Sequence, residues 1–325
     1  MSSKTRGRTL AILIVGMILG AGAGIVFYKR GMPFVGVTGQ WGVGIYVGTG
    51  PDKPFTPGNI KNPVLTIKDV TDMDADFVAD PFMVKEGDTW YLFVEVLNNA
   101  DGKGDLSVAT SKDGIHFKYQ KKVLDEKFHL SYPHVMKWKG QWWMVPESYE
   151  DKSIRLYRAT KFPFEWKLHK KLVTGAPFVD SSLIEHDGKW WMWSSITGNN
   201  VLVLYYADAL DGTWHKHPQN PLRLGDPEYA RPGGPIVKYN GRLIRYAQDC
   251  FPRYGMAIRA FEVTKLTTTE YAEKLLNDGK PLIGATGSGW NALGMHQLDP
   301  HQIAPGKWIA AVDGIYNARR YGLAY

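Results

Sequence analysis

The chain has 325 residues, of which 44% are hydrophobic, and a formal net charge of +7. This length and composition are sufficient to bury a large core in one domain. The single cysteine, Cys250, excludes an internal disulfide. No basic run with interleaved aromatic residues is present, so the chain is not expected to bind nucleic acid.

The N-terminal region contains an uncharged, mostly apolar stretch at residues 9–28, flanked by basic residues. A stretch of about 20 such residues is long enough to span a bilayer. We therefore expect residues 1–30 to form a cytoplasmic tail and a transmembrane signal anchor, with the rest of this single-pass protein outside the cytoplasm. A cleaved signal peptide is the alternative, because Ala21-Gly22-Ala23 is similar to a cleavage site. Residues 31–40 are interpreted as a linker, and residues 41–325 as one domain.

A block of related sequence recurs about every 50 residues, a period typical of repeat folds. Each copy has a short apolar strand, a turn built on Gly or Asp-Gly, and a second strand rich in Trp, Tyr and Ile, which is the pattern of a β-hairpin. The copies lie at residues 80–95, 132–147, 180–195, 233–248 and 296–313. Five hairpins at this spacing predict an all-β fold, a five-bladed β-propeller preceded by the N-terminal transmembrane helix.

The spacers between the hairpins also repeat, and their alternating apolar positions predict the outer strands of the blades. They lie at residues 104–117, 153–166, 201–214 and 254–266. Residues 41–55 have the same pattern, although they precede the first hairpin. We therefore predict that this segment supplies an outer strand of the last blade, pairing near residues 309–312 or 316–323 and closing the ring.

Equivalent positions of the repeats should converge on the axis, because the innermost strand of each blade lines the central channel. The first positions are occupied by Asp80, Tyr132, Asp180 and Gly233, with His296 near the start of the fifth block. The last positions are occupied by Glu95, Glu147, Ser195, Gln248 and Asp313. Acidic residues at repeated positions predict a polar site on one face, although a charge that closes a strand is often only a solvent-facing end.

Two of these blocks resemble glycoside hydrolase family 43 and the five-bladed furanosidase-type propellers. The similar segments are Ala79-Asp80-Pro81 before GDTWYLF, and Val179-Asp180-Ser181-Ser182 before GKWWMW. The resemblance implies that Asp80 is the general base of an inverting mechanism and that Asp180 orients and tunes the general acid. A base that activates water and an acid that protonates the leaving oxygen are the two groups that glycoside hydrolysis requires.

The fourth blade departs from that family's pattern, because Gly233 stands where a Glu should supply the general acid. Three residues are alternative acids: Glu147, its first-blade counterpart Glu95, and His296. The predicted catalytic residues are therefore Asp80, Asp180, Glu147 and His296. His296 could instead sit over a central metal ion or water, or be a hydrogen-bonded core histidine; no other cofactor is expected.

Further polar residues cluster near the starts and ends of the blades and predict a wall that hydrogen-bonds sugar hydroxyls. The predicted substrate-binding residues are Glu95, Tyr132, His134, Arg231, Gln248, Asp249 and Asp313, with His129 nearby. Arg231 could pair with a carboxylate of the ligand or with Asp180. The alternative is a structural salt bridge that joins two blades.

A broader resemblance extends over residues 41–314, through phrases such as WGVGIYVG, ADPFMV, FHLSYPHV, RLYRATKFPFEW and GMHQLDPH. These resemble the N-terminal propeller domain of plant glucosamine inositolphosphorylceramide glycosyltransferases and of stand-alone bacterial relatives. The resemblance implies the propeller fold and a carbohydrate or glycolipid ligand, but not the transferase activity. Two hypotheses follow: a membrane-anchored glycosidase-like enzyme, or a non-catalytic binding propeller that partners a separate glycosyltransferase.

Overall fold

The structure, a computed structural model, describes residues 35–321. The predicted tail and anchor at residues 1–30 lie outside the described residues. Within the described part, no helix is both long and apolar enough to cross a membrane. The chain divides into two compact units, residues 41–316 and the chain ends at 1–40 and 317–325. In the second unit, residues 35–40 and 317–321 are strand.

Strand β1, Val35–Gly48, is the first described element, and two four-stranded antiparallel sheets follow it. Blade 1 comprises β2 (Ala75–Glu86), β3 (Thr89–Asn98), β4 (Lys103–Ser111) and β5 (Lys118–Leu124). Blade 2 comprises β6 (Ser131–Trp138), β7 (Gln141–Glu147), β8 (Ser153–Lys161) and β9 (Glu165–Thr174).

The next two sheets each have a broken outer edge made of two short strands. Blade 3 comprises β10 (Phe178–His186), β11 (Lys189–Ile196), β12 (Val201–Ala207), β13 (His215–Lys216) and β14 (Arg223–Leu224). Blade 4 comprises β15 (Val237–Tyr239), β16 (Arg242–Asp249), β17 (Ala257–Leu266), β18 (Tyr271–Leu275) and β19 (Ile283–Gly284).

Blade 5 closes the ring with strands from both ends of the chain. It comprises β20 (Leu298–Ala304), β21 (Lys307–Tyr321) and β1, in the order β1-β21-β20. The prediction that the N-terminal segment supplies a strand of the last blade is confirmed. Strand β1 begins at Val35, within the residues 31–40 that the sequence predicts to be a linker.

The residues in the turns explain why the hairpins can be recognised in the sequence. Three of them use two successive residues with positive φ, as in Asp187-Gly188 (50° and 73°) and Asn240-Gly241 (50° and 75°). Two-residue turns of this hand match the twist of the strands that they join, and Gly adopts such a φ without steric cost.

The core consists of apolar clusters between neighbouring blades. For example, Val43 and Ile309 of blade 5 pack with Leu92 of blade 1, and Trp143 of blade 2 packs with Trp190 of blade 3. Burying each large apolar side chain is worth about 1.5–3 kcal/mol. Most tryptophans therefore hold the blades together, and only the residues near the axis remain for a polar site.

Candidate functional site at the propeller axis

Three inner strands carry the same backbone irregularity where they reach the axis. Asp80, Tyr132 and Asp180 have left-handed φ values of 51°, 46° and 48°. The pairing register shifts at each of these positions, between Ala79 and Phe82 in blade 1 and at the equivalent places in blades 2 and 3. Such bulges redirect a side chain and are often found beside functional sites.

Carboxylates from the preceding blade satisfy the N–H groups at these bulges. Asp313 accepts from the Asp80 N–H at 3.2 Å, and Asp80 accepts from the Tyr132 N–H at 3.1 Å. Glu147 accepts from the Asp180 N–H at 3.3 Å. Buried polar groups need such partners, so these acidic residues both support the backbone and face the axis.

A pocket of about 160 Å³ lies among these groups. Five of the predicted site residues line it, namely Asp80, Glu95, Glu147, Arg231 and His296. A larger cavity of about 590 Å³ lies elsewhere, beside Ile60, Val64 and Phe117. We assign the site to the smaller pocket, because the larger cavity lacks the converging buried carboxyl groups that chemistry on a sugar requires.

Asp80 lines the pocket rather than pointing into a blade core, and only 4% of its surface is exposed. Burial raises the pKa of Asp80 well above its ordinary value. The positive charge of His296 acts in the opposite direction, with His296 Nδ1 3.8 Å from Asp80 Oδ1. Burial is the larger of these two effects, so the pKa of Asp80 stays raised.

His296 is held between a carboxylate and an aromatic ring. Its Nδ1 lies 2.6 Å from Asp313 Oδ2, and its ring stacks on Trp41 with centroids 3.9 Å apart. Burial alone would lower the pKa of His296, but Asp313 and then Asp80 reverse the effect and raise it to about 9. The imidazole is therefore positively charged at neutral pH.

Asp80, His296 and Asp313 also offer ligand atoms within 4.8 Å of one another, as a metal site would. These three residues are the ones that would hold the central metal ion considered in the sequence analysis, and binding it would displace the proton of His296.

Arg231 joins two acidic residues from different blades. Its Nε lies 2.6 Å from Asp180 Oδ2, and its Nη2 lies 3.2 Å from Asp180 Oδ1 and 3.3 Å from Glu147 Oε2. The side chains of Arg231, Asp180 and Glu147 are 13%, 1% and 5% exposed. This contact is the predicted pairing of Arg231 with Asp180, and it places Asp180 behind the guanidinium, outside the pocket lining.

Glu147 lies at the end of β7, beside Asp180. Burial and then the negative charge of Asp180 raise the pKa of Glu147 well above its ordinary value, whereas Arg231 lowers it. A neighbouring carboxylate that keeps a second carboxyl protonated is a common way to produce a general acid.

Glu95 faces the same pocket with one oxygen that lacks a hydrogen bond. Its Oε1 is buried without a hydrogen-bond partner, although His129 Nε2 lies 3.2 Å away. The other ring nitrogen of His129 accepts a hydrogen bond from the Gly104 N–H at 2.9 Å. His129 therefore carries its proton on Nε2, and Glu95 remains an acceptor that a ligand hydroxyl could use.

The remaining predicted substrate-binding residues do not line the pocket. Gln248 donates to Asp180 Oδ2 at 2.6 Å, and Asp313 lies behind His296. Asp249 pairs with Arg259, whose Nη2 lies 2.8 Å from its Oδ2. These three side chains are engaged by protein groups, so they support the site from behind.

Tyr132 and His134 are likewise buried below the pocket. The His134 Nδ1 accepts from the Leu183 N–H at 3.3 Å, and burial lowers the pKa of His134 to about 4. This histidine is therefore neutral and joins blade 2 to blade 3. The Tyr132 hydroxyl accepts from the Gly234 N–H at 2.7 Å and is fully buried.

Side chains of the fourth blade fill the space beside its glycine, where the family 43 pattern has an acid. A Cβ on Gly233 would lie 2.4 Å from Ile258 Cδ1 and 3.1 Å from Gln248 Cγ. The missing glutamate of the family 43 pattern is therefore not a simple deletion of one side chain, because the surrounding chain occupies its space.

Three aromatic residues that the sequence did not identify line the pocket: Trp41, Phe77 and Tyr254. Trp41 comes from β1 and Phe77 from β2, whereas Tyr254 comes from the connection between β16 and β17, where it is 43% exposed. Arg231 lies over the Tyr254 ring, 5.2 Å from its centroid. All three residues lie outside the repeated hairpins, so equivalence between the repeats could not reveal them.

The pocket thus combines two carboxyl groups of raised pKa with aromatic walls. Asp80 lies beside the positively charged His296, and Glu147 lies beside the carboxylate of Asp180. Such a pair supplies an acid and a base, and aromatic faces pack against sugar rings.

Several solved carbohydrate-active enzymes have the same fold. The catalytic domain of a GH62 α-L-arabinofuranosidase from Coprinopsis cinerea superposes with a TM-score of 0.55 at 12% identity, over 82% of this chain and 84% of that one. An exo-1,5-α-L-arabinanase from a bovine ruminal metagenomic library gives 0.51 at 13% identity, over 71% and 93%. At these identities the similarity establishes the fold alone.

The sequence comparisons are more specific. Glucosamine inositolphosphorylceramide transferase 1 of Oryza sativa subsp. japonica is 38% identical over 298 residues, and that of Arabidopsis thaliana is 35% identical. The matches cover 85% of this chain but only 40% and 39% of those proteins. The family model for the N-terminal part of glucosamine inositolphosphorylceramide transferase 1 matches residues 36–315. The chain therefore belongs to the family of glucosamine inositolphosphorylceramide transferase 1 N-terminal domains.

Proposed function

We propose that the propeller is a carbohydrate-active module that cleaves or transfers a glycosyl unit in the axial pocket. One observation carries this proposal: Asp80 and Glu147, two buried carboxyl groups of raised pKa from adjacent blades, line the same small pocket. Glycosyl chemistry requires such a pair, because one group activates the attacking oxygen while the other protonates the leaving one.

In this proposal Asp80 is the general base. It lies beside the positively charged His296, which stabilises its ionised form. Asp313 in turn holds His296 in place through the 2.6 Å ion pair. The charge of His296 therefore counteracts the effect of burial, and the ionised Asp80 would accept a proton from a water or hydroxyl group in the pocket.

Glu147 is the general acid, in preference to His296. Asp180 keeps the Glu147 proton in place, which is the tuning role that the resemblance to family 43 implies for Asp180. His296 also carries a proton, but its Nδ1 faces Asp313, and its pKa of about 9 makes it a reluctant donor. Glu95 lies on the pocket wall and is the remaining alternative.

The ligand is proposed to be a carbohydrate or glycolipid. The sequence relatives are glucosamine inositolphosphorylceramide transferases, and the structural neighbours include an α-L-arabinofuranosidase and an exo-1,5-α-L-arabinanase. The predicted anchor at residues 1–30 would hold the propeller outside the cytoplasm at a membrane, where a glycolipid is accessible. A glycosyltransferase is the proposed partner, because the matched relatives are more than twice as long as the matched region.

The test uses the full chain in detergent with aryl glycosides of arabinose, xylose, glucose, galactose and glucosamine, assayed for release of the aryl group. We expect turnover of at least one substrate, and its loss in Asp80→Asn and Glu147→Gln. Glu86→Gln is the matched control in blade 1, because Glu86 is exposed and pairs only with Lys137. Turnover that persists in Asp80→Asn would refute the assignment of the base.

The second candidate function is carbohydrate binding without catalysis. Gly233 favours it, because the usual position of the general acid carries no side chain and its space is taken by Ile258 and Gln248. Binding of glycans on an array, with no product and equal affinity in Asp80→Asn, would support this alternative.

A further inference from the structure

The larger cavity, of about 590 Å³, lies between the connection that follows β1 and the turn between β4 and β5 of blade 1. This side cavity is lined by residues 59–61, Val64 and residues 115–117. Among the described residues, none lines both the side cavity and the axial pocket. Its volume falls within the roughly 300–1,000 Å³ of cavities that enclose small ligands. The side cavity is therefore large enough to be a second binding site.

The walls of the side cavity are mostly apolar. Four of its lining side chains are partly exposed and pack against the core cluster between blades 5 and 1, namely Ile60, Val64, Ile115 and Phe117. Single apolar residues are common on a protein surface, but several together in one concave region usually mark a place where an apolar group binds. These side chains also offer no hydrogen-bonding groups, so they suit a hydrocarbon and not a sugar.

Both walls are held in place by hydrogen bonds of the protein itself. In the first wall, the Asn62 side chain accepts from the Ile45 N–H at 2.8 Å and donates to the Ile45 carbonyl at 2.9 Å. In the second wall, Asp113 Oδ1 accepts from the N–H groups of Ile115 and His116, at 2.9 and 2.8 Å. A ligand would therefore enter a formed cavity, and little ordering of the chain would oppose binding.

The charges at the edge of the side cavity leave one cation without a counterion. His116 Nδ1 lies 2.7 Å from Asp113 Oδ2, so these two groups compensate each other. Lys61 is exposed, and within the described part of the chain it has no acidic partner at ion-pair distance. An apolar cavity with an uncompensated cation at its edge is complementary to a molecule with an apolar chain and an anionic head group.

We propose that the side cavity binds the single alkyl chain of an anionic amphiphile, of which a long-chain carboxylate is the simplest example. The chain lies between Ile60 and Val64 on one wall and Ile115 and Phe117 on the other, and the head group lies beside Lys61. This site is separate from the axial pocket, and the proposal does not depend on glycosyl chemistry there.

The test uses the full chain in lipid nanodiscs, with a hexadecanoic acid that carries a photoreactive diazirine at the end of its chain. Mass spectrometry identifies the cross-linked peptides over a series of probe concentrations. We expect saturable labelling of the peptides that contain residues 59–64 and 115–117, and its loss with excess unlabelled hexadecanoate. The methyl ester of the probe lacks the negative charge and should need a concentration about two- to fivefold higher for half-saturation.

Two pairs of variants separate the apolar and the ionic contributions, with circular dichroism to confirm folding. Ile115→Asn should raise the half-saturating concentration about tenfold, because it places an amide in the apolar wall, whereas Leu224→Asn, at an exposed apolar position of blade 3, should not change it. Lys61→Gln should remove the preference for the acid over the ester. Its control is Lys238→Gln, at an exposed position of blade 4, which should keep that preference.

Three results would overturn the proposal. The first is labelling of these peptides that does not saturate or is unchanged in Ile115→Asn. The second is equal labelling by the acid and the ester, which would exclude recognition of an anionic head group. The third is no label at the side cavity, which would leave it to an apolar segment of this or another protein chain. Each of these results leaves the proposed function of the axial pocket intact, because aryl glycosides test that function separately.

Discussion

Replacing Arg231 by Gln should destabilise the propeller strongly. Its guanidinium makes two hydrogen bonds to Asp180, at 2.6 and 3.2 Å, and a third to Glu147 at 3.3 Å, with both carboxylates almost fully buried. Breaking a buried ion pair leaves an uncompensated charge and costs about 3–5 kcal/mol. Urea unfolding of the full chain, followed by tryptophan fluorescence, measures the loss.

The loss of stability in Arg231→Gln should depend on pH, because Arg231 acts on the pKa of Glu147. Arg231 now lowers the pKa of Glu147, so its removal should raise that pKa further above the value in the unfolded chain. A carboxyl whose folded pKa is raised carries a penalty that grows as the pH rises from its unfolded pKa through its folded pKa, and protonation relieves it. The difference between variant and wild type should therefore shrink as the pH falls through the raised pKa of Glu147.

Lys137→Gln is the control, because the side chains of Lys137 and its partner Glu86 are 43% and 45% exposed. An exposed pair of this kind is worth about 0–1 kcal/mol. Equal losses in the two variants, or a loss at Arg231 that does not change with pH, would refute the view that the axial carboxylates depend on this arginine.

Three further predictions concern the closing strand β1, the charge of His296 and the crowding at Gly234. Deleting residues 1–30 should leave the melting temperature nearly unchanged, whereas deleting residues 1–56 removes β1, exposes the edge of blade 5 and should cause cooperative loss of stability or aggregation in a thermal melt. Since the pKa of His296 is raised to about 9, its contribution to stability is complete below about pH 6.5 and is lost as the pH rises through 9. This loss, about 3 kcal/mol, should be absent in His296→Gln. Urea unfolding of both proteins across that pH range measures it. Gly234→Ala should cost more stability in urea than Gly87→Ala, because a Cβ at Gly234 would lie 2.1 Å from a carbonyl oxygen whereas Gly87 is open; equal costs would contradict the crowding at the axis.

The blade architecture was predictable because local chemistry determines it. Turns such as Asp187-Gly188 require residues that tolerate positive φ, and these residues mark the hairpins in the sequence. Closure by the N-terminal strand followed from the same alternation of apolar residues in residues 41–55 and in the spacers. Asp80 and Glu147 were found because equivalent repeat positions converge on the axis.

The directions of individual side chains could not be predicted in the same way. A bulge shifts the register locally, so the alternation of a strand no longer says which way Tyr132 or His134 points. Asp249 ends its strand as Glu147 does, yet it pairs with Arg259, a partner that repeat positions do not indicate. Trp41 reaches the pocket only through the pairing of the two chain ends.

That pairing has a consequence for how the protein folds. Trp41 lies near the start of the propeller and Asp313 near its end, and both hold His296 at the pocket wall. Contacts between residues far apart in the sequence form late, because closing the long loop between them costs conformational entropy. The binding site is therefore complete only when the ring is complete. A ligand that occupies it should favour the closed ring over forms with a detached first strand, by about 2.7 kcal/mol at a concentration 100 times its Kd.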